Sequence, residues 1–204
     1  LAKYDAQGGQ SWLKTFGGGS DDVANALSVG PNGSIYVAGK AGGAISGKQT
    51  NGGTDGFLAK YTTTGSRSWL TMLGSSADDE ALDVDAGSTG VYVSGWAKGV
   101  FGNTSHTGGK DGFLARFDTA GSRQWARLLG TGSDETAAAV WADHSQSRIY
   151  IGGTTGGNLA GGTNAGGTDG YAAHFDAQGN RTWVTMTGSP KEDEFVAGIL
   201  SSKG

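Results

Sequence analysis

Apolar and polar positions alternate in short runs along the whole chain. ALDVDA (81–86) alternates apolar and polar residues from Leu82 onward, and VYVSGWA (91–97) is rich in β-branched and aromatic residues. GFLAKY (56–61) and SWLTML (68–73) have the same character, and Gly, Asn, Asp and Ser separate such runs. A period of two with β-branched and aromatic enrichment predicts strands. No segment carries a sustained 3.6-residue apolar stripe. The run Glu135–Val140 could pass for helix, but it occupies a slot that reads as strand in the other copies of a repeat.

That repeat is plain. LAKYDAQGGQSWLKTFGGGSDDVANAL (1–27) returns as LAKYTTTGSRSWLTMLGSSADDEAL (58–82) and as LARFDTAGSRQWARLLGTGSDETAAAV (114–140). It returns again as AAHFDAQGNRTWVTMTGSPKEDEFVAGIL (172–200). Trp12, Trp69, Trp125 and Trp183 lie 57, 56 and 58 residues apart, and Asp22, Asp79, Glu135 and Asp193 keep the same spacings. Tyr36, Tyr92 and Tyr150 follow at 56 and 58. Each unit reads as four short strands, the signature of one blade of an all-β β-propeller built of four-stranded antiparallel blades.

The run DGFLAKY…GSRSWLTMLGSSADDEALDVDAGSTGVYVSGWA resembles the bacterial seven-bladed β-propeller (SBBP) repeat. The shared pattern is an Asp-x-Phe strand, a Trp strand, a Gly-rich acidic turn and a Val-Tyr-Val-x-Gly strand. The resemblance covers essentially the whole chain and implies a secreted or surface-exposed propeller, with no shared activity. Long Gly/Thr/Asn loops before each Asp-Gly, and Ala-Ala-His-Phe at 172–175, depart from the pattern.

If each blade is laced A-B-C-D from the axis outward, 1–21 supplies strands C and D of a preceding blade. Complete blades occupy 22–78, 79–134 and 135–192, and 193–204 supplies strand A of a following one. This gives about 3.5 blades of a partial propeller, and Leu1 begins mid-pattern, as expected for part of a longer chain. A composite of the two ends would contain A, C and D but no B. Neighbouring strands sit about 4.8 Å apart, so that gap argues against closure by this segment alone. The remaining blades are expected from the rest of the chain or from another chain.

Composition narrows the functional classes. The net charge of −4 is spread along the chain without a basic run, so no nucleic-acid partner is expected. No stretch approaches the roughly 20 apolar residues of a membrane span. There is no Cys, which removes disulfides and thiolate metal sites.

The acidic pairs Asp21-Asp22, Asp78-Asp79, Asp134-Glu135 and Glu192-Asp193 fall in the turns from strand D to the next strand A. Carboxylates there either cap the turn's own backbone N–H groups or ligate Ca²⁺. Repetition in every blade favours capping, so no cofactor is expected, with calcium as the alternative. Asp55, Asp111 and Asp169 each open an Asp-Gly-aromatic motif, which reads as a turn with the Gly at positive φ.

Trp12, Trp69, Trp125 and Trp183 read as packing between blades. Trp96, expected to open a long B–C loop, and Trp141, expected on an innermost strand, have no Trp counterpart in the other copies, which marks them as candidates for ligand contact. Arg67, Arg123 and Arg181 follow the C–D turn. Asp118 and Asp176 stand five residues before the latter two, predicting a cross-hairpin ion pair. The three His residues occupy unrelated repeat positions, and no catalytic motif is present.

The expectation is therefore a non-enzymatic extracellular binding or scaffold module that presents one face to a protein or glycan. That face would carry the acidic turns and the long loops 40–54, 97–110 and 153–168. The alternatives are a structural component of a surface assembly such as a filament or surface layer, or a calcium-stabilised lectin-like propeller.

Overall fold

The computed structural model describes residues 1–102 and 104–195. Among the described residues it is all-β with a single 3-10 turn at Leu159–Gly161. A two-stranded ribbon, β1 (Ala2–Tyr4) and β2 (Gln10–Leu13), is followed by three four-stranded sheets. The first sheet is β3 (Asp22–Val29), β4 (Ile35–Ala41), β5 (Asp55–Tyr61) and β6 (Arg67–Leu73). The second is β7 (Asp79–Gly87), β8 (Gly90–Ala97), β9 (Asp111–Phe117) and β10 (Arg123–Leu129). The third is β11 (Glu135–Asp143), β12 (Arg148–Thr155), β13 (Asp169–Phe175) and β14 (Arg181–Thr187). Within each sheet neighbours in sequence are neighbours in space and antiparallel, and among the described residues no sheet closes on itself.

The first strand of every sheet carries a β-bulge at one repeat position, between Ala24 and Ala26, Ala81 and Asp83, and Ala137 and Ala139. The extra residue pushes a carbonyl toward the second strand, which explains the glycine of the Tyr-x-x-Gly motif. A Cβ at Gly39 or Gly95 would lie 1.9 Å from the carbonyl oxygen of Val23 or Glu80, an approach only glycine allows.

Consecutive sheets pack face to face. Tyr36, Ala38 and Leu58 of the first sheet bury against Val84, Ala86, Val91 and Val93 of the second. Tyr92 and Leu114 of the second sheet do the same against Val140, Ala142, Ile149 and Ile151 of the third. A smaller cluster under the ribbon joins Leu1 and Phe16 to Val37, Phe57, Ala59 and Tyr61.

Three expectations need correction. Gly56, Gly112 and Gly170 do not have positive φ: each Asp-Gly lies inside a strand, and the small residue serves close packing. A Cβ at Gly56 would meet the Leu73 carbonyl at 3.0 Å and the Ala81 nitrogen at 3.1 Å. The Asp–Arg pairs across the C–D hairpins do not form. Asp118 instead accepts from the N–H groups of Ala120 (3.0 Å) and Ser122 (2.9 Å), and Asp176 from those of Gln178 (2.9 Å) and Asn180 (2.8 Å). The short loop to the carboxylate outcompetes a long, solvated arginine.

The third correction concerns Trp96. It does not open the loop but lies inside β8, paired with Glu80 and Gly112. Of the strand anticipated within 193–204, Asp193–Phe195 have no strand geometry, and 196–204 lie outside the described residues.

Candidate functional site

The acidic turns and the loops 42–54, 98–110 and 156–168 meet along one edge of the stack. Main-chain bonds clasp them. The N–H groups of Asp79, Glu135 and Asp193 donate to the carbonyls of Thr54, Lys110 and Thr168, each at 2.7 Å. Gly42, Lys98 and Gly156 donate back to Asp21, Asp78 and Asp134 at 2.9, 3.0 and 2.9 Å. Each loop is also plugged into the core by one apolar side chain at a single repeat position: Ile45, Phe101 or Leu159.

The second acid of each pair folds back onto its own turn. Asp22 accepts from Gly18 N–H at 2.6 Å, and Asp79 from the N–H (2.6 Å) and hydroxyl (2.8 Å) of Ser75. Glu135 accepts from the N–H and hydroxyl of Thr131, both at 2.6 Å, and from the Thr155 hydroxyl at 2.8 Å. Asp193 accepts from the N–H of Ser189 at 2.6 Å and its hydroxyl at 2.9 Å. The Asp-Gly aspartates do the same for the long loops: Asp55 from Asn51 (2.5 Å), Asp111 from Thr107 (2.9 Å) and Asp169 from Ala165 (2.7 Å).

The first acids are more exposed. Asp78 and Asp134 accept from the N–H groups of Thr54 (3.1 Å) and Lys110 (2.9 Å), and Asp78 pairs with Lys98 at 3.2 Å. Asp21 takes part through its carbonyl, and Glu192 is exposed.

Each junction thus brings together two carboxyl groups from neighbouring sheets, Asp55 with Asp79 and Asp111 with Glu135. Burial, opposed by the Ser75 bonds and reinforced by Asp55, pushes the Asp79 carboxyl up to about 6. Burial also raises Asp55, Asp111 and Glu135. The Thr54 N–H and then Lys98 hold Asp78 low. Among the described residues the second oxygens of Asp55, Asp79, Asp111 and Asp169 have no polar partner. Glycine backbone is pressed against them: a Cβ at Gly74 would lie 2.4 Å from the Asp55 carboxylate. Among the described residues no three His, Cys, Asp or Glu side chains converge as a metal site.

The structure does not bring Trp96 and Trp141 together. Trp96 sits at the loop edge, with Lys110 Nζ 4.4 Å and Lys98 Nζ 5.8 Å from its ring centroid. Trp141 sits near the opposite edge. It starts a row of aromatic rings, one per strand, running Trp141–Tyr150–His174–Trp183. Successive centroids in that row are 5.7, 4.7 and 5.8 Å apart.

Sequence reasoning missed the polar members of the earlier rows. Lys60 and Arg116 share the repeat position of His174 and reach the next sheet's hairpin carbonyls, Thr119 at 3.1 Å and Ala177 at 3.2 Å. Their spacing of 56 residues carried that signal. His144 was also missed: it bonds Thr89 at 2.7 Å and lies 3.7 Å from Asp85, filling the junction between two strand turns.

No family model matches the chain. A regulatory protein of Caulobacter vibrioides, FlaEY, is similar to it, at 28% identity over 174 residues covering 77% of this chain. The chain spans 18% of that relative's length. No described helix is long and apolar enough to cross a membrane.

Proposed function

We propose that the chain is an open run of blades of a β-propeller and serves as a non-enzymatic binding or scaffold module at the cell surface or outside the cell. Its ligand is a protein or a glycan held at the clasped loop edge. The observation that carries this reading is the contrast within that edge. The acids, the clasping bonds and the plugs Ile45, Phe101 and Leu159 recur in each unit, whereas the exposed loop residues around them differ. A rigid recurring frame under variable side chains suits recognition better than chemistry.

Trp96 with Lys98 and Lys110 is the most distinctive group on this edge, a half-buried indole flanked by two cations. Serial stacking of equivalent sheets supports the propeller architecture. The length of the similar regulatory protein is consistent with such a module being one part of a longer polypeptide.

The test is a protein and glycan array probed with the native chain and with a variant. In the variant residues 46–51, 104–109 and 160–166, exposed or half-buried, become Gly/Ser while Ile45, Phe101 and Leu159 remain. Binding by the native chain that falls at least tenfold in the variant is the expected result. Equal binding by both would remove the loops from the site.

A second reading, a structural unit of a surface assembly, is favoured by one feature: among the described residues, large apolar side chains are exposed at both ends of the stack. Leu27 and Val29 are exposed at one end and Trp183 at the other. Concentration-dependent growth of fibres or sheets by the isolated chain would select it.

A further inference from the structure

We propose that the cavity between the strand turns of the first and second four-stranded sheets binds a small planar aromatic carboxylate. It lies at the edge opposite the clasped loops, between two complete sheets, and is independent of what those loops bind.

The repeat supplies its own comparison. At the junction of the second and third sheets, His144 enters between the turns. Its ring centroid stands 5.8 Å from that of Tyr92, and it bonds Thr89 at 2.7 Å and lies 3.7 Å from Asp85. It is seated so closely that a Cβ on Gly87 would overlap its ring. Arg116 ties the two turns together, donating to the carbonyls of Ala177 at 3.2 Å and Thr89 at 2.7 Å.

One junction earlier each of these positions has a counterpart. The repeat spacing puts Gly30 where Gly87 stands, Asn32 at Thr89 and Tyr36 at Tyr92. It puts Lys60 at Arg116, Thr119 at Ala177 and Ser88 at His144. All six counterparts line one cavity of about 300 Å³. A serine cannot span the gap that an imidazole spans, so the frame that grips His144 in one junction borders a cavity in the other. Its volume falls at the small end of the range for ligand pockets, roughly 300–1,000 Å³, which suits a single ring rather than a polymer.

The substitutions also reverse the charge. Asp85, the acid beside His144, corresponds to Ser28, whose hydroxyl accepts from Ala86 N–H at 3.1 Å. Among the described residues Lys60 is the only charged member of the lining. Its Nζ lies 5.4 Å from the Tyr36 ring centroid and donates to the Thr119 carbonyl at 3.1 Å. Arg116 bonds both turns, whereas Lys60 bonds one and, among the described residues, makes no ion pair. That leaves ammonium N–H donors for a ligand.

The occupant therefore keeps the flat ring that the frame accepts in the later junction and exchanges a basic ring for an acidic one. Tyr36, 3% exposed, gives the ring an apolar floor. The carboxylate meets Lys60, in a half-buried setting where a charge-assisted bond is stronger than on the open surface. An inorganic anion would leave the tyrosine unused, and a neutral ring would leave Lys60 without a counter-charge.

Benzoate is the probe, titrated into the isotope-labelled chain and followed by amide NMR, with benzamide and cyclohexanecarboxylate as controls. Benzoate is expected to bind at about 1 mM and to shift the amides of Asn32, Ser34 and Ser88. Both controls should bind at least tenfold more weakly, one lacking the charge and the other the flat ring. Lys60→Gln keeps a donor for Thr119 and should bring benzoate down to the level of benzamide. Ser88→His places an imidazole at the cavity and should weaken benzoate at least tenfold. Equal binding of benzoate and benzamide by the native chain would overturn the proposal. So would undiminished benzoate binding by both variants, or shifts confined to residues outside the two turns.

Discussion

The indole ring of Trp125 lies flat against Gly179, in the next sheet. A Cβ at Gly179 would come within 2.9 Å of the ring, and Trp125 Nε1 donates to the Ala177 carbonyl at 3.1 Å. Trp69 makes the same contact with Gly121 and Thr119, and Trp12 with Gly65 and Thr63, each donor at 3.2 Å from its carbonyl. One tryptophan per unit therefore latches each sheet to the hairpin of its successor. Trp183 has no such hairpin among the described residues and is 44% exposed.

Replacing Trp69 or Trp125 with Ala should lower unfolding free energy by about 3 kcal/mol, the usual scale for deleting a packed aromatic. Trp183→Ala should cost under about 1 kcal/mol. Urea denaturation of the three variants checks the ranking, and equal losses would refute the latch.

The glycine side of the latch is separately testable. Gly179 has φ +77, so Gly179→Ala combines a left-handed backbone with displacement of the Trp125 ring. A loss of roughly 2 kcal/mol is expected. Gly132→Ala is the control, since nothing lies within 4 Å of the added methyl and its φ is not positive. That variant should be within about 0.5 kcal/mol of the native chain.

Buried Asp79 makes a pH prediction with a definite sign. Its carboxyl is raised to about 6 in the folded protein, against about 3.9 when unfolded, so folding favours the protonated form. The associated stability is fully present below about pH 4 and is lost as pH rises through about 6. Between pH 5 and 7.5 the native chain should lose about 5 °C in melting temperature relative to Asp79→Asn. Parallel melting profiles of the two proteins would show that Asp79 titrates normally.

Calcium is expected to leave the fold unchanged. The oxygens of Glu135, and one each of Asp22, Asp79 and Asp193, already accept hydrogen bonds from their own turns. A cation would have to displace N–H donors that cannot turn away. Melting in millimolar CaCl₂ and in chelator should agree within about 1 °C, and a larger rise in calcium would establish a metal role for the acidic turns.

Strand content, the four-strand unit and the acids that hold the turns were determined by the sequence alone. Each depends on chemistry within about five residues: alternation puts one face of a strand toward apolar neighbours, and an aspartate reaches the N–H groups of its own turn. The tertiary structure decided everything that spans a repeat. It kept Gly56 in a strand, where a Cβ would crowd Ala81 of the next sheet. It set Gly39 against a bulge and Trp125 against Gly179, and left Leu27 exposed where Val84 is buried. Leu27 and Val84 sit at the same position of one pattern and read alike in sequence. Burial is a property of what packs against a side chain, and for these two the covering sheet differs.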